Sequence, residues 1–221
     1  MGNSPDTYTV VAVGESSPDS AETVEIYDST EKSWRIAGQL PEDCRTATRR
    51  FREYMTVFCE GFFYCFVETR GVLGIMGFSV TEGTYIYAPL PEMTIINLFT
   101  CGSRVLLSGL FSGDLIIWEF DKVKVDSSNP SSLCWKLITR IPPFMRQDLL
   151  ALIPLSGIGV GDCIYIFYVS MDGVKVAAYS LSQKSWSLLS SCSIPDGNTV
   201  GAISMGLVNV MAFEPRPNMK L

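Results

Sequence analysis

The sequence predicts an all-β chain made of four tandem units of about fifty residues, each a small antiparallel sheet. Three observations lead there. The stretch SWRIAGQLPED (33–43) is echoed by SWSLLSSCSIPD (185–196), and Tyr85 and Trp135 fall between them, so that Trp34, Tyr85, Trp135 and Trp186 advance by 51, 50 and 51 residues. Closing prolines keep the same beat: Pro41, Pro91, Pro142 and Pro195 advance by 50, 51 and 53. A second aromatic leads the first by seven residues in three copies, at Tyr27, Phe78 and Tyr179. In the remaining copy Phe120 leads Trp135 by fifteen, and DKVKVDSSNPSSL carries an eight-residue insertion.

Strand-like runs follow this frame in order. The first copy (8–40) offers YTVVAVG, TVEIYD and SWRIAG, three strands only. The second (55–91) offers MTVFCE, FFYCFVE, GIMGFSV and GTYIYA, all β-branched or aromatic and separated by glycine-containing turns. The third (94–142) offers IINLFTC, SRVLLSGL, DLIIWEFD and CWKLITR; the fourth (149–195) offers LLALIPL, DCIYIFYV, VKVAAYS and SWSLLSS. TVGAIS and GLVNVMAF, within 199–213, read as closing strands, with polar tails at 1–7 and 214–221. Four antiparallel strands per unit is the blade of a β-propeller. Strands apolar on both faces suit blades packed between blades, and the repeating aromatics then fill the space between sheets. Two readings fit: a ring of four blades closed by an end strand, or an incomplete piece of a larger ring.

Composition narrows the chemistry. Apolar residues make up 47% of the chain, enough for a substantial core, and the net charge of −6 argues against nucleic acid and anionic membrane as partners. There is no histidine, which removes the usual general base and the commonest transition-metal ligand. Seven cysteines, without a Cys-x-x-Cys pair, offer no zinc spacing. They read as reduced, buried thiols of a cytoplasmic or nuclear protein, with a secreted disulfide framework as the alternative. MGNSPDTYTV lacks the basic and apolar regions of a signal peptide. The apolar stretch 149–169 is broken by Pro154, by polar or glycine positions at 156–159 and by Gly161-Asp162, so it reads as two strands rather than a membrane span. Neither a cofactor nor a metal is expected.

The series Tyr27, Trp34, Pro41, Arg45, partly repeated as Trp135, Pro142, Arg146, resembles the kelch repeat. The glycine doublet that usually ends the second kelch strand is missing from every copy. VEIYDSTEKSWRIAGQLPED and the ending MAFEPRPNMKL are similar to the kelch half of plant F-box/kelch-repeat proteins. That resemblance implies a kelch-type β-propeller that captures a protein substrate for an SCF ubiquitin ligase. An F-box would contact the Skp-type adaptor, and with seven residues ahead of Tyr8 the sequence corresponds to the repeat portion without it.

Recognition is expected on the loops of a rigid scaffold. In CRTATRRFREY, Arg45, Arg49, Arg50 and Arg52 crowd around Phe51 in an otherwise acidic chain, and Phe144 and Arg146 hold the corresponding place two units on. Guanidinium forks grip carboxylates and phosphates, so these residues are the candidate surface for an acidic or phosphorylated protein. The plainer reading pairs the arginines with Glu42, Asp43 or Glu53 of the same loop or with rim acids of neighbouring blades. The acids Glu42, Asp43, Glu92 and Asp196 ring the same face; paired carboxylates would suit a glycosidase-like enzyme, the alternative function. A vestigial fragment without binding of its own is the third reading. The expectation taken forward is a non-catalytic protein-interaction module.

Overall fold

The computed structural model describes residues 8–14, 22–47, 56–122, 134–146, 156–170 and 173–189. Among them are sixteen strands and one helical turn, and every strand pairing is antiparallel. In the first sheet β1 (Thr9–Gly14), β2 (Thr23–Asp28) and β3 (Ser33–Gln39) lie in sequence order. The second holds β4 (Cys44–Thr46), β5 (Thr56–Cys59), β6 (Phe62–Thr69), β7 (Val72–Ser79) and β8 (Tyr85–Pro89). The third holds β9 (Thr94–Cys101), β10 (Arg104–Phe111), β11 (Asp114–Phe120) and β12 (Trp135–Arg140). After the turn α1 (Pro143–Arg146), the fourth holds β13 (Ser156–Val160), β14 (Cys163–Ser170), β15 (Gly173–Ser180) and β16 (Ser185–Leu189). The chain is thus all-β with four antiparallel sheets. No helix among the described residues is long and apolar enough to cross a membrane.

Tight hairpins follow directly from the sequence. Glu60-Gly61, Arg70-Gly71 and Ser112-Gly113 each have two consecutive positive φ angles, 47° and 81°, 51° and 79°, 50° and 82°. That is the two-residue turn whose twist matches the flanking strands, and glycine at its second position takes the left-handed conformation at no steric cost.

Two compact bodies result, one holding the first and second sheets and the other the third and fourth. In the first, Val24 and Ile26 of β2 cluster with Phe63, Cys65 and Val67 of β6 and with Met76 and Phe78 of β7; Leu40 and Cys44 join the same core. In the second, Leu115 and Ile117 of β11 cluster with Ile164, Ile166 and Tyr168 of β14 and with Tyr179 of β15, together with Ile141 and Met145. Each fully buried aliphatic or aromatic side chain in such a core contributes about 1.5–3 kcal/mol. The sheets therefore depend on their neighbours, as their two-sided apolar pattern requires.

Two elements depart from the sequence reading. The fourth sheet begins at β13, SGIGV, which the sequence reads as punctuation; LLALIPL, expected to be its first strand, lies outside the described residues. Glycine belongs in β13 because β9 passes so close. A methyl added at Gly157 would meet the Phe99 ring, and one at Gly159 would meet the Thr100 carbonyl and Cys101. Glycine within a strand marks a close backbone approach of this kind. In the second sheet the first strand comes in two pieces, and β4 lies ahead of the expected start at residue 55. The expected closing strands within 199–213 fall outside the described residues, as do both tails.

Gly159→Ala should cost about 2 kcal/mol, the usual cost of overpacking a site that cannot give. Gly14→Ala, with open space around it, should stay within about 0.5 kcal/mol of the parent. Urea unfolding of the two variants beside the parent chain measures both.

Candidate functional site

The repeated aromatics meet as cross-strand partners. Tyr27 lies opposite Trp34, Phe78 opposite Tyr85, Phe120 opposite Trp135 and Tyr179 opposite Trp186. Ring centroids stand 5.4, 5.1, 5.3 and 5.2 Å apart, with interplanar angles of 48°, 45°, 52° and 50°. This tilted geometry is the one the ring quadrupole favours. The insertion between Phe120 and Trp135 leaves it unchanged, because Asp121 N–H donates to the Cys134 carbonyl (2.8 Å) as Ser79 N–H donates to that of Thr84 (2.9 Å).

The polar tip of the fourth-strand aromatic then ties one sheet to the next. Tyr85 donates its hydroxyl to the Gln39 carbonyl at 2.5 Å. Trp186 donates its indole N–H to Thr139 Oγ1 (2.9 Å) and the Arg140 carbonyl (3.1 Å). Gln39 and Arg140 each lie five residues beyond the aromatic of the preceding sheet, Trp34 and Trp135. One offset therefore holds within both bodies. Of the prolines, Pro41 is exposed and Pro91 and Pro142 are half-buried, each just after a fourth strand; Pro195 lies outside the described residues. Pro89 closes β8 two positions before Pro91.

This frame fixes the base of the arginine-rich segment. β4 and β5 both pair with β6, Thr46 opposite Val67 and Thr56 opposite Cys65, and Ala47 N–H donates to the Phe66 carbonyl at 3.0 Å. The described positions on either side of residues 48–55 are thus fixed at neighbouring places on one strand. Glu22 secures the first of them. Only 3% exposed, its carboxylate accepts Thr46 N–H at 3.0 and 2.9 Å and the Thr46 hydroxyl at 3.1 Å. Leu40 N–H donates to the Glu22 carbonyl as Ile141 N–H donates to that of Leu115. Glu22 therefore occupies a position that a fully buried leucine fills in the third sheet. Nothing in ESSPDSAE distinguishes this glutamate from the other acids in the segment; the signal is its place in the repeat frame.

Of the candidate partner-binding residues, Arg45 lies on β4, opposite Glu68, rather than in a loop. Its guanidinium donates to the Glu42 and Cys44 carbonyls at 3.1 and 2.9 Å, which holds the side chain along the rim. Arg49, Arg50, Phe51 and Arg52 lie outside the described residues. Phe144 and Arg146 fall in α1, a helical turn within the expected loop, and their side chains are not among those described; Met145 between them is buried. Arg70, which the sequence reading passed over, pairs with Asp43 through two bonds of 2.9 and 2.7 Å. Arg70 sits in the β6–β7 turn and Asp43 follows β3, so these two loops meet in the first body.

The thiols of Cys44, Cys65 and Cys101 are poor nucleophiles. Burial pushes Cys65 up to about 12 and raises Cys44 and Cys101, which keeps them protonated at neutral pH. Among the described residues no group of three or more His, Cys, Asp or Glu side chains could hold a metal ion.

No protein-family model and no curated protein matches the sequence. Among solved structures, the crystal structure of TolB from Acinetobacter baumannii is similar at 11% identity with a TM-score of 0.49, over 84% of this chain and 41% of that one. The chain thus spans about two-fifths of the length of that structure.

Trp186→Phe removes the inter-sheet donor and should destabilise the chain by about 1 kcal/mol in urea unfolding, and Tyr85→Phe by a similar amount. Tyr64 and Cys65 both have native values raised to about 12 by burial. Their unfolded-state values lie near 10 and 9, so the stabilisation is intact below about pH 9 and is lost as pH rises and the unfolded chain ionises first. The urea midpoint should therefore fall between about pH 9 and 11, and Cys65→Ala should flatten that fall.

Proposed function

We propose that the four sheets are blades of a kelch-type β-propeller, and that the chain is a non-catalytic protein-interaction module. In this reading it is the substrate-recognition part of a plant-type F-box/kelch subunit of an SCF ubiquitin ligase, acting in the cytoplasm or nucleus. The observation that carries the reading is the shared frame. A cross-strand aromatic pair recurs in all four sheets, and in each body an aromatic polar tip reaches the carbonyl five residues past the preceding sheet's aromatic. Units that differ in sequence but keep one sheet-to-sheet offset belong to a repeat scaffold, whose loops are free to vary.

Recognition is assigned to the rim of the first body that carries Arg45, with Arg49, Arg50, Phe51 and Arg52 following it in sequence; Phe144 and Arg146 hold the corresponding sequence positions of the second body. Two features support the assignment. A buried carboxylate and β6 fix the two ends of the segment that carries the arginines. Four arginines in eight residues also stand out in a chain of net charge −6, which favours an acidic or phosphorylated protein segment as partner. Transfer of ubiquitin would be done elsewhere, with the Skp-type adaptor reached through an F-box.

Pull-down from plant extract with the immobilised chain tests the assignment. An Arg49→Glu/Arg50→Glu variant should recover its specific partners at least about tenfold less well than the parent, since two lost charge-assisted contacts are worth more than 1.4 kcal/mol. Equal recovery by a folded variant would remove the basic rim from the binding surface.

A further inference from the structure

Two of the sheets show what an aromatic pair binds. Tyr85 donates to the Gln39 carbonyl, and Trp186 donates to the Arg140 carbonyl and to Thr139 Oγ1. In both cases the accepting carbonyl precedes an aliphatic residue and a proline, as Gln39-Leu40-Pro41 and Arg140-Ile141-Pro142. Leu40 shares the core of the first body with Phe78, and Ile141 shares that of the second with Tyr179. The chain thus contains two examples of one recognition: the polar tip of a ring takes a backbone carbonyl, and the aliphatic residue after it is buried beside the pair's sheet.

The first sheet carries the same pair on a face that the described residues leave open. Tyr27 and Trp34 stand 5.4 Å apart, and Tyr8 extends them to a row of rings, 6.0 Å from Tyr27 at an interplanar angle of 34°. Val10 lies opposite Tyr27, and Tyr27 opposite Trp34, so strand alternation puts Tyr8, Val10, Ala12, Tyr27, Trp34 and Ile36 on one face. The other face supplies Val11, Val13, Val24 and Ile26 to the core of the first body. On the ring face Tyr8 is 60%, Trp34 52% and Ile36 67% exposed, whereas Phe78 and Tyr179 are buried. Among the described residues nothing accepts the Trp34 indole N–H. Glu25, opposite Ala12 and Ile36, is the one charged side chain on this face of the described strands. A contiguous exposed apolar patch of this kind marks an interaction surface.

We propose that the ring face of the first sheet docks an extended segment of another protein that carries an Xaa-aliphatic-Pro motif. The Trp34 indole N–H donates to the Xaa carbonyl, as that of Trp186 does to Arg140. The aliphatic side chain and the proline ring cover Tyr8, Tyr27 and Trp34, and Glu25 favours a lysine or arginine in the segment. Proline holds the residue before it extended, so such a segment loses little freedom on binding. This surface is separate from the arginine rim and calls for a ligand of the opposite charge. The other occupants are a further sheet of the same chain and a second copy.

Measurements on the full chain decide among them. Acrylamide should quench Trp34, read as the difference between the parent and Trp34→Phe, as readily as a solvent-exposed indole. The probe is the labelled peptide LITRIPP, residues 137–143, which holds both acceptors of Trp186. In fluorescence anisotropy it should bind saturably, and in an NMR titration it should shift the Trp34 indole N–H signal. Trp34→Phe should weaken binding about fivefold, the worth of one hydrogen bond. Ile36→Asp should weaken it at least about tenfold, as should replacing the motif in the peptide LITRSSP. Arg35→Ala, on the opposite face, should leave it unchanged. A Trp34 shielded from acrylamide would mean that the chain or a second copy already covers the face. That result, no binding of LITRIPP, or equal binding by LITRSSP or by Ile36→Asp would each overturn the proposal.

Discussion

A sheet that is apolar on both sides is stable only when other sheets cover it, and cover it at a fixed offset. Within each body of this chain the offset is set by one cross-strand ring pair per sheet and by the hydrogen bond that Tyr85 or Trp186 sends to the preceding sheet. The pair contributes about 0.5–1.5 kcal/mol beyond the area it buries. Its larger effect is on register. Tyr85 and Trp186 can reach the carbonyls of Gln39 and Arg140 in only one alignment of the sheets. Valine and isoleucine in the strands supply the driving force; the rings decide where it acts.

The same frame explains a buried charge that would otherwise look like a defect. Glu22 holds a position where Leu115 sits in the third sheet, and its carboxylate is satisfied by the backbone and hydroxyl of Thr46. A leucine there would pack well but leave the Thr46 amide at the broken edge of the second sheet without that acceptor. Burying a carboxylate is costly unless its hydrogen bonds are made. Here they are made to the strand that starts the arginine-rich excursion, so the expense falls where the chain needs a fixed point.

Much of this was legible in the sequence, and the reasons are physical. A seven-residue spacing between two aromatics is what a four-residue turn requires if the rings are to face each other across adjacent strands, as Asp28 to Ser33 shows. The strand runs of the second and third sheets were legible because β-branched and aromatic residues are interrupted by paired turn residues such as Glu60-Gly61. What stayed hidden depends on distant partners. SGIGV reads as a turn until β9 is seen passing over its glycines. β4 is three residues long, too short for any periodicity, and exists because β6 runs on past β5 to Thr69. Arg45 reads as a loop arginine for the same reason. Arg70 carries no local sign that Asp43, 27 residues away, will face it.

The insertion between Phe120 and Trp135 has a consequence for how the chain could be altered. Fourteen positions separate those rings where other units use six, yet their geometry is that of the shorter turns. Lengthening a turn whose stem is already clamped adds only a logarithmic entropy penalty. A fluorescent reporter, an affinity epitope or a foreign peptide joined between Phe120 and Trp135 should therefore leave the ring pair as it is.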